Sequence, residues 1–93
     1  MICSFACKAT QKIWTGEYAK KIPYSIQNRA LRKLRQIDAA KILNDLKNPP
    51  GNNLEKLSGN RKVQYSIRIN EKWRICFVWK KGNAHDVEIV DYH

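Results

Sequence analysis

The chain has 93 residues, 43% of them hydrophobic, including three Trp, four Tyr and two Phe. That is enough apolar surface for one small core and too little for two, so a single domain over 1–93 is expected and disorder is excluded. Eighteen Lys and Arg against eight Asp and Glu leave a formal charge of +10, which points to a polyanionic partner, nucleic acid first, ahead of a membrane-surface helix or a role in solubility alone.

Ile2 to Phe5 reads as a short first strand, followed by a short helix around Ala9 to Trp14 that Gly16 ends. After Pro23, Ile26, Ala30, Leu31, Leu34 and Ile37 recur at helical spacing. Arg29, Arg32, Lys33 and Arg35 fill most of the other positions, so the spacing predicts an amphipathic helix with a basic outer face. Asp38 is expected to cap a further helical turn with Ile42, Leu43 and Leu46 facing inward, and Asn48-Pro49-Pro50-Gly51 stops it. The two pieces should form a helical hairpin.

Beyond that break the apolar period changes to two. Val63, Tyr65, Ile67 and Ile69 alternate with Gln64, Ser66 and Arg68, and Trp73, Ile75, Phe77 and Trp79 alternate with Arg74, Cys76 and Val78. Lys81-Gly82-Asn83 makes a turn and Asp86 to Asp91 is a third strand. Helices first and strands after predict an α+β domain with an antiparallel meander. A turn at Asn70-Glu71-Lys72 sets the register, pairing Ile69 with Trp73, Ile67 with Ile75, Tyr65 with Phe77 and Val63 with Trp79. Those eight form the apolar face for the helices, which leaves Arg68 opposite Arg74 on the other, open face. Like charges paired across a sheet are destabilising, so either an anion sits between them, as a phosphate would, or the side chains turn to water or to a carboxylate such as Glu88.

No apolar run approaches the roughly 20 residues of a membrane helix, and the N-terminus lacks the layout of a signal peptide, so a cytoplasmic location is expected. Cys3, Cys7 and Cys76 are odd in number and not spaced as a zinc site, which fits packing thiols in a reducing compartment.

Several segments, in order along the chain, resemble the HigB-like toxins of the RelE/ParE superfamily, its plasmid-maintenance killer branch. They are Met1-Ile2 with Ser4-Phe5, Asp38-Ala39-Ala40, Leu57-x-Gly59-x-Arg61, Tyr65-Ser66-Ile67-Arg68, Trp73-Arg74-Ile75-Cys76-Phe77 and the terminal Asp91-Tyr92-His93. The resemblance implies a RelE-like fold, a small twisted antiparallel sheet with a helical hairpin on one face and an RNA site on the other. It further implies metal-independent cleavage of messenger RNA on the ribosome, with no cofactor. The implied partners are the ribosome and message, a co-encoded HigA-like antitoxin with a helix-turn-helix domain, and operator DNA reached through the complex.

Such cleavage needs a base for the ribose 2′-hydroxyl, an acid for the 5′ leaving oxygen and cations for the charge gathering on phosphate. His93, with an ordinary pKa of about 6.5, is the best titrating group, and Asp91 or the terminal carboxylate would orient it. Tyr92 is expected to stack on a base or bond the phosphate rather than merely pack on the sheet. Arg74, with Arg68, Arg61 and Lys56 as further RNA contacts, would hold phosphates. Where relatives often carry a His and a Lys, this chain has Glu55 and Ser58. Glu55 would stand in as general base, a weak one with an ordinary pKa of about 4.3, so a mild nuclease is expected.

His85 is expected to be a solvated loop residue. The basic helix face, placed away from the open sheet face, is expected either to grip ribosomal RNA or simply to be solvated. The rival functions are a ParE-like inhibitor of DNA gyrase, which shares the fold without cutting RNA, and a non-catalytic co-repressor that binds nucleic acid.

Overall fold

Two helices precede four strands in the computed structural model, which describes residues 1–57 and 63–91. Helix α1 (Lys8–Trp14) ends at Thr15, and Gly16 comes next with φ of +87°, a left-handed conformation that glycine adopts without a Cβ penalty. Helix α2 (Tyr24–Ala39) buries Ile26, Gln27, Ala30, Leu34 and Ile37 on one stripe. Gln27 is a polar residue in that stripe because its amide donates to the Ala19 and Ile22 carbonyls at 2.9 and 2.8 Å, tying down the loop between the helices.

The second helical piece differs from expectation. Asp38 lies inside the last turn of α2, and its carboxylate accepts the backbone N–H of Ile2 at 2.8 Å. Asp45 does the capping instead, accepting the N–H groups of Lys41 and Ile42 at 3.0 and 3.3 Å. Past Ala40 the chain makes only short 3-10 turns, Leu43–Lys47 and Pro50–Asn52; Leu46 in the first is buried, while Ile42 just before it is 58% exposed. The partner of α2 in the helical layer is therefore α1.

The sheet is an antiparallel meander in the order β1 (Glu55–Leu57), β2 (Gln64–Arg68), β3 (Trp73–Lys80), β4 (Asn83–Asp91). The register of β2 on β3 is the expected one, with Tyr65 opposite Phe77, Ile67 opposite Ile75 and Arg68 opposite Arg74. Asn70 closes that hairpin, its side-chain oxygen accepting the N–H groups of Lys72 and Trp73 at 2.8 Å each. Ile67, Ile69, Ile75 and Phe77 bury against Ala30, Leu34 and Ile37 of α2 together with Val87 and Ile89 of β4. Val63, however, precedes β2 and is 50% exposed, so it is not part of that face.

The N-terminal segment meets β4 in parallel through two isolated bridges, Ile2 with Ala84 and Phe5 with Val87, rather than as a strand. A bulge explains the gap. Asp86 has φ of +52° and turns its N–H to the Ser4 hydroxyl at 2.9 Å, interrupting the ladder. Strand β4 also begins earlier than expected, and His85 lies within it opposite Val78.

Asn52, fully buried, fastens the segment between α2 and the sheet. Its amide donates to the Leu46 and Asn48 carbonyls at 3.1 and 3.2 Å and to the Gln36 side chain at 3.1 Å, and its oxygen accepts from Lys33. Asn52→Ala is expected to destabilise the fold by about 2–3 kcal/mol in urea unfolding, since each buried polar group left unpaired costs about 1–3 kcal/mol. A loss below about 0.5 kcal/mol would mean that water replaces those bonds.

Candidate active site

Residues directly opposite each other in an antiparallel sheet share a face, so the register sorts the candidate residues. Glu55, Ser66, Cys76 and Glu88 form one row across all four strands on the face turned away from the helices, and Arg68, Arg74 and Val90 form the next. Strand β1, which brings Glu55 there, is a part of the sheet that sequence reasoning missed. Three residues reading Glu-Lys-Leu carry no alternation to detect.

The two opposed arginines resolve their repulsion through protein acceptors. The Arg74 Nε donates to the Ser66 hydroxyl at 2.8 Å, and its Nη2 donates to the Asn53 carbonyl at 2.6 Å and the Ser66 carbonyl at 3.4 Å. The Arg68 Nε turns the other way and donates to the Asn70 carbonyl at 3.1 Å. Among the described residues, Glu55 brings a carboxylate to Arg74, with Oε2 at 3.8 Å from Nη2. Ser66, Cys76 and Arg74 are all buried, so the middle of this face is a filled layer in which Arg74 lies over Ser66, with Glu55 exposed at its rim. The pair joins a cation of fixed position to a carboxylate open to substrate.

Cys76 and Glu88 complete that row. Burial and the Glu88 charge push the Cys76 thiol up, and Arg74 offsets part of the shift, so at neutral pH it is a protonated packing group.

Other candidates fall elsewhere. Lys56 pairs with Tyr65 and Asp91 with Trp73, both on the helix side, so the register does not bring either to the row of Arg68 and Arg74. His85, opposite Val78, is half-buried on the same face as Glu55 but on β4, at the opposite edge of the sheet from β1, beside a cavity of about 500 Å³ lined also by Ser4, Val78, Trp79 and Asp86. Ser58, Arg61, Tyr92 and His93 lie outside the described residues. Among the described residues no three His, Cys, Asp or Glu side chains stand close enough to hold a metal ion, and no helix is long and apolar enough to cross a membrane.

The basic face of α2 is not remote from the sheet. Arg29 and Lys33 share with Arg68 a cavity of about 470 Å³ at the end of β2, lined also by Gly51, Ile69, Asn70 and Glu71.

Residues 3–93 match the family model described as the RelE-like toxin of type II toxin-antitoxin system HigB. The chain is 49% identical over 63 residues to a protein named Toxin HigB-1 from Vibrio cholerae, a match covering 68% of this chain and 66% of the relative, just under two thirds of its length. It is 30% identical over 93 residues to a protein named Endoribonuclease HigB from Proteus vulgaris, with both chains covered completely. An uncharacterized protein of Haemophilus influenzae is 33% identical over 72 residues, 77% of this chain and 71% of its own.

Proposed function

Because the chain belongs to the HigB-like toxins of type II toxin-antitoxin systems, we propose that it is a metal-independent endoribonuclease that cuts translated messages, working from the sheet face that carries Glu55 and Arg74. The observation that supports this most directly is the exposed Glu55 carboxylate 3.8 Å from the buried, hydrogen-bonded Arg74. It combines a proton acceptor with a preorganised cation, the two things phosphodiester cleavage asks of a protein.

In the proposed reaction Glu55 takes the proton of the ribose 2′-hydroxyl as that oxygen attacks phosphorus. The bond from phosphorus to the 5′ oxygen breaks, and His93 protonates the departing oxygen. The products are a 2′,3′-cyclic phosphate and a free 5′-hydroxyl. Arg74 stabilises the charge developing on the phosphoryl oxygens, Arg68 holds a neighbouring phosphate, and Tyr92 stacks on a base. Arg61, Lys56 and Asp91 are assigned supporting parts, Lys56 and Asp91 from the strand edges, where RNA wrapping past the sheet would meet them.

The antitoxin of this system is proposed to be HigA-like with a helix-turn-helix domain, carrying the complex to operator DNA. The 93 residues act as one toxin domain in the cytoplasm, where ribosome and message are found. A two-arm assay tests the reading. Purified protein should shorten a message in a translating extract and leave the supercoiling activity of purified DNA gyrase untouched. Intact message with arrested supercoiling would establish the gyrase inhibitor instead.

A further inference from the structure

Arg29, Lys33 and Arg68 come from two elements some 40 residues apart in sequence and converge on one cavity of about 470 Å³. Each is held by a neutral oxygen. Arg29 donates to the Ile69 carbonyl at 3.4 Å, Arg68 to the Asn70 carbonyl at 3.1 Å and Lys33 to the Asn52 side chain. Among the described residues no carboxylate lies within ion-pairing distance of any of the three. Neutral acceptors fix the direction of a cation without cancelling its charge, which leaves three oriented positive groups around an open cleft.

Burial, with Arg29 and Arg32 close by, holds the Lys33 ammonium below the usual lysine range. That is the condition an incoming anion relieves. A smaller cavity of about 250 Å³, lined by Arg29, Arg32, Lys33, Gln36 and Pro49, continues the same surface along α2. Arg68 also belongs to the row of Arg74 on the sheet, so the cleft opens beside the proposed cleavage site rather than on a separate face. Among the described residues Glu71 is the one acidic group lining it, and its charge would oppose an anion.

The geometry points to a phosphate-binding cleft formed by Arg29, Lys33 and Arg68 over Gly51, which holds the sugar-phosphate backbone of the RNA as it leaves the sheet face. This assignment rests on the reading of the chain as an RNA-cleaving toxin. It turns the basic helix face from a general electrostatic surface into a defined extension of the substrate path. It also provides a way to block the path without touching the cations, because a Cβ added at Gly51 meets no atom within 4 Å.

The test is fluorescence anisotropy with a labelled, fully 2′-O-methylated single-stranded RNA, which binds but offers no 2′-hydroxyl for cleavage. Arg29→Gln with Lys33→Gln is expected to weaken binding about tenfold and to reduce the slope of log K on log salt by about 1.4, at about 0.7 per phosphate contact. Gly51→Glu, which leaves all three cations in place, should weaken binding to a similar extent. Lys20→Gln with Lys21→Gln removes the same charge beside a different cavity, near Trp73 and Ile89, and should have a clearly smaller effect. Thermal melts confirm that each variant is folded.

Equal loss in the two double variants, or wild-type binding by Gly51→Glu, would overturn the assignment. So would displacement of the RNA by millimolar inorganic phosphate at matched ionic strength, which would make this a site for a small phosphate. Unchanged RNA binding with lost antitoxin capture would give the cleft to an acidic protein segment and overturn it too. Because the probe cannot be cleaved, cleft-dependent binding by a wild-type protein that leaves message intact would count against the nuclease reading alone.

Discussion

Replacing Arg74 with Ala is expected to slow message cleavage by about 10²- to 10³-fold, the usual loss when one preorganised charge-stabilising donor is removed from a phosphoryl or acyl transfer site. The expectation comes from how the side chain is held. Ser66 and Asn53 take three of its hydrogen bonds, so the guanidinium cannot swing away when charge develops in front of it. Those same bonds mean that the Ala variant loses stability, and Arg74→Lys separates the two effects. Lysine keeps the charge on a flexible stem but cannot reach Ser66 and Asn53 together, so a folded Arg74→Lys protein should still cleave at least about tenfold more slowly. A folded Arg74→Ala protein cleaving within about threefold of wild type would remove Arg74 from the mechanism.

Changing Glu55 should move the rate in both directions. Glu55→Gln retains size and hydrogen bonding but cannot accept a proton, and the expected loss is about 10²-fold, the lower end of what general acid–base catalysis supplies. Glu55→His puts an imidazole where a carboxylate stands and should raise the rate at neutral pH by at least about tenfold, because its proton affinity is better matched to that pH. Glu55 is 53% exposed at the end of a three-residue strand, so neither change should disturb folding. A growth assay graded by toxin dose, with cleavage measured on the same variants, reads the outcome. If Glu55→His cleaves no faster than wild type, a mild activity cannot be ascribed to this position.

The parts of the molecule that were legible in the sequence are those governed by local pattern. Period-two alternation and the Asn70 turn are enough to place Arg68 opposite Arg74, because a hairpin register has only a few solutions and one puts Tyr65, Ile67, Ile75 and Phe77 together on the helix side. The stripe Ile26, Ala30, Leu34 and Ile37 is legible for the same reason.

The hidden parts depend on partners far along the chain. Asp38 has the composition of a helix cap, but its acceptor is used by Ile2, 36 residues earlier. Asn52 lies in a stretch of Pro, Gly and Asn that reads as loop, yet it is wholly buried because four groups from two segments converge on it. Glu55 was identified by its departure from a family motif, whereas its closeness to Arg74 required β1 to pair with β2. Lys56, adjacent in sequence, turns to the other face for that same reason. The cleft that joins Arg29 and Lys33 to Arg68 is tertiary throughout, and a helical wheel can show only that α2 has a basic side.

The measurement closest to the central claim is a map of 5′ ends on a message after the purified protein is added to a translating extract. New ends should arise inside the translated region, disappear when translation is halted beforehand, and be absent with Tyr92→Ala and with His93→Ala. A message that stays full-length, or the same ends produced by both tail variants, would contradict an RNA-cleaving site built from Glu55, Arg74 and the chain's last residues.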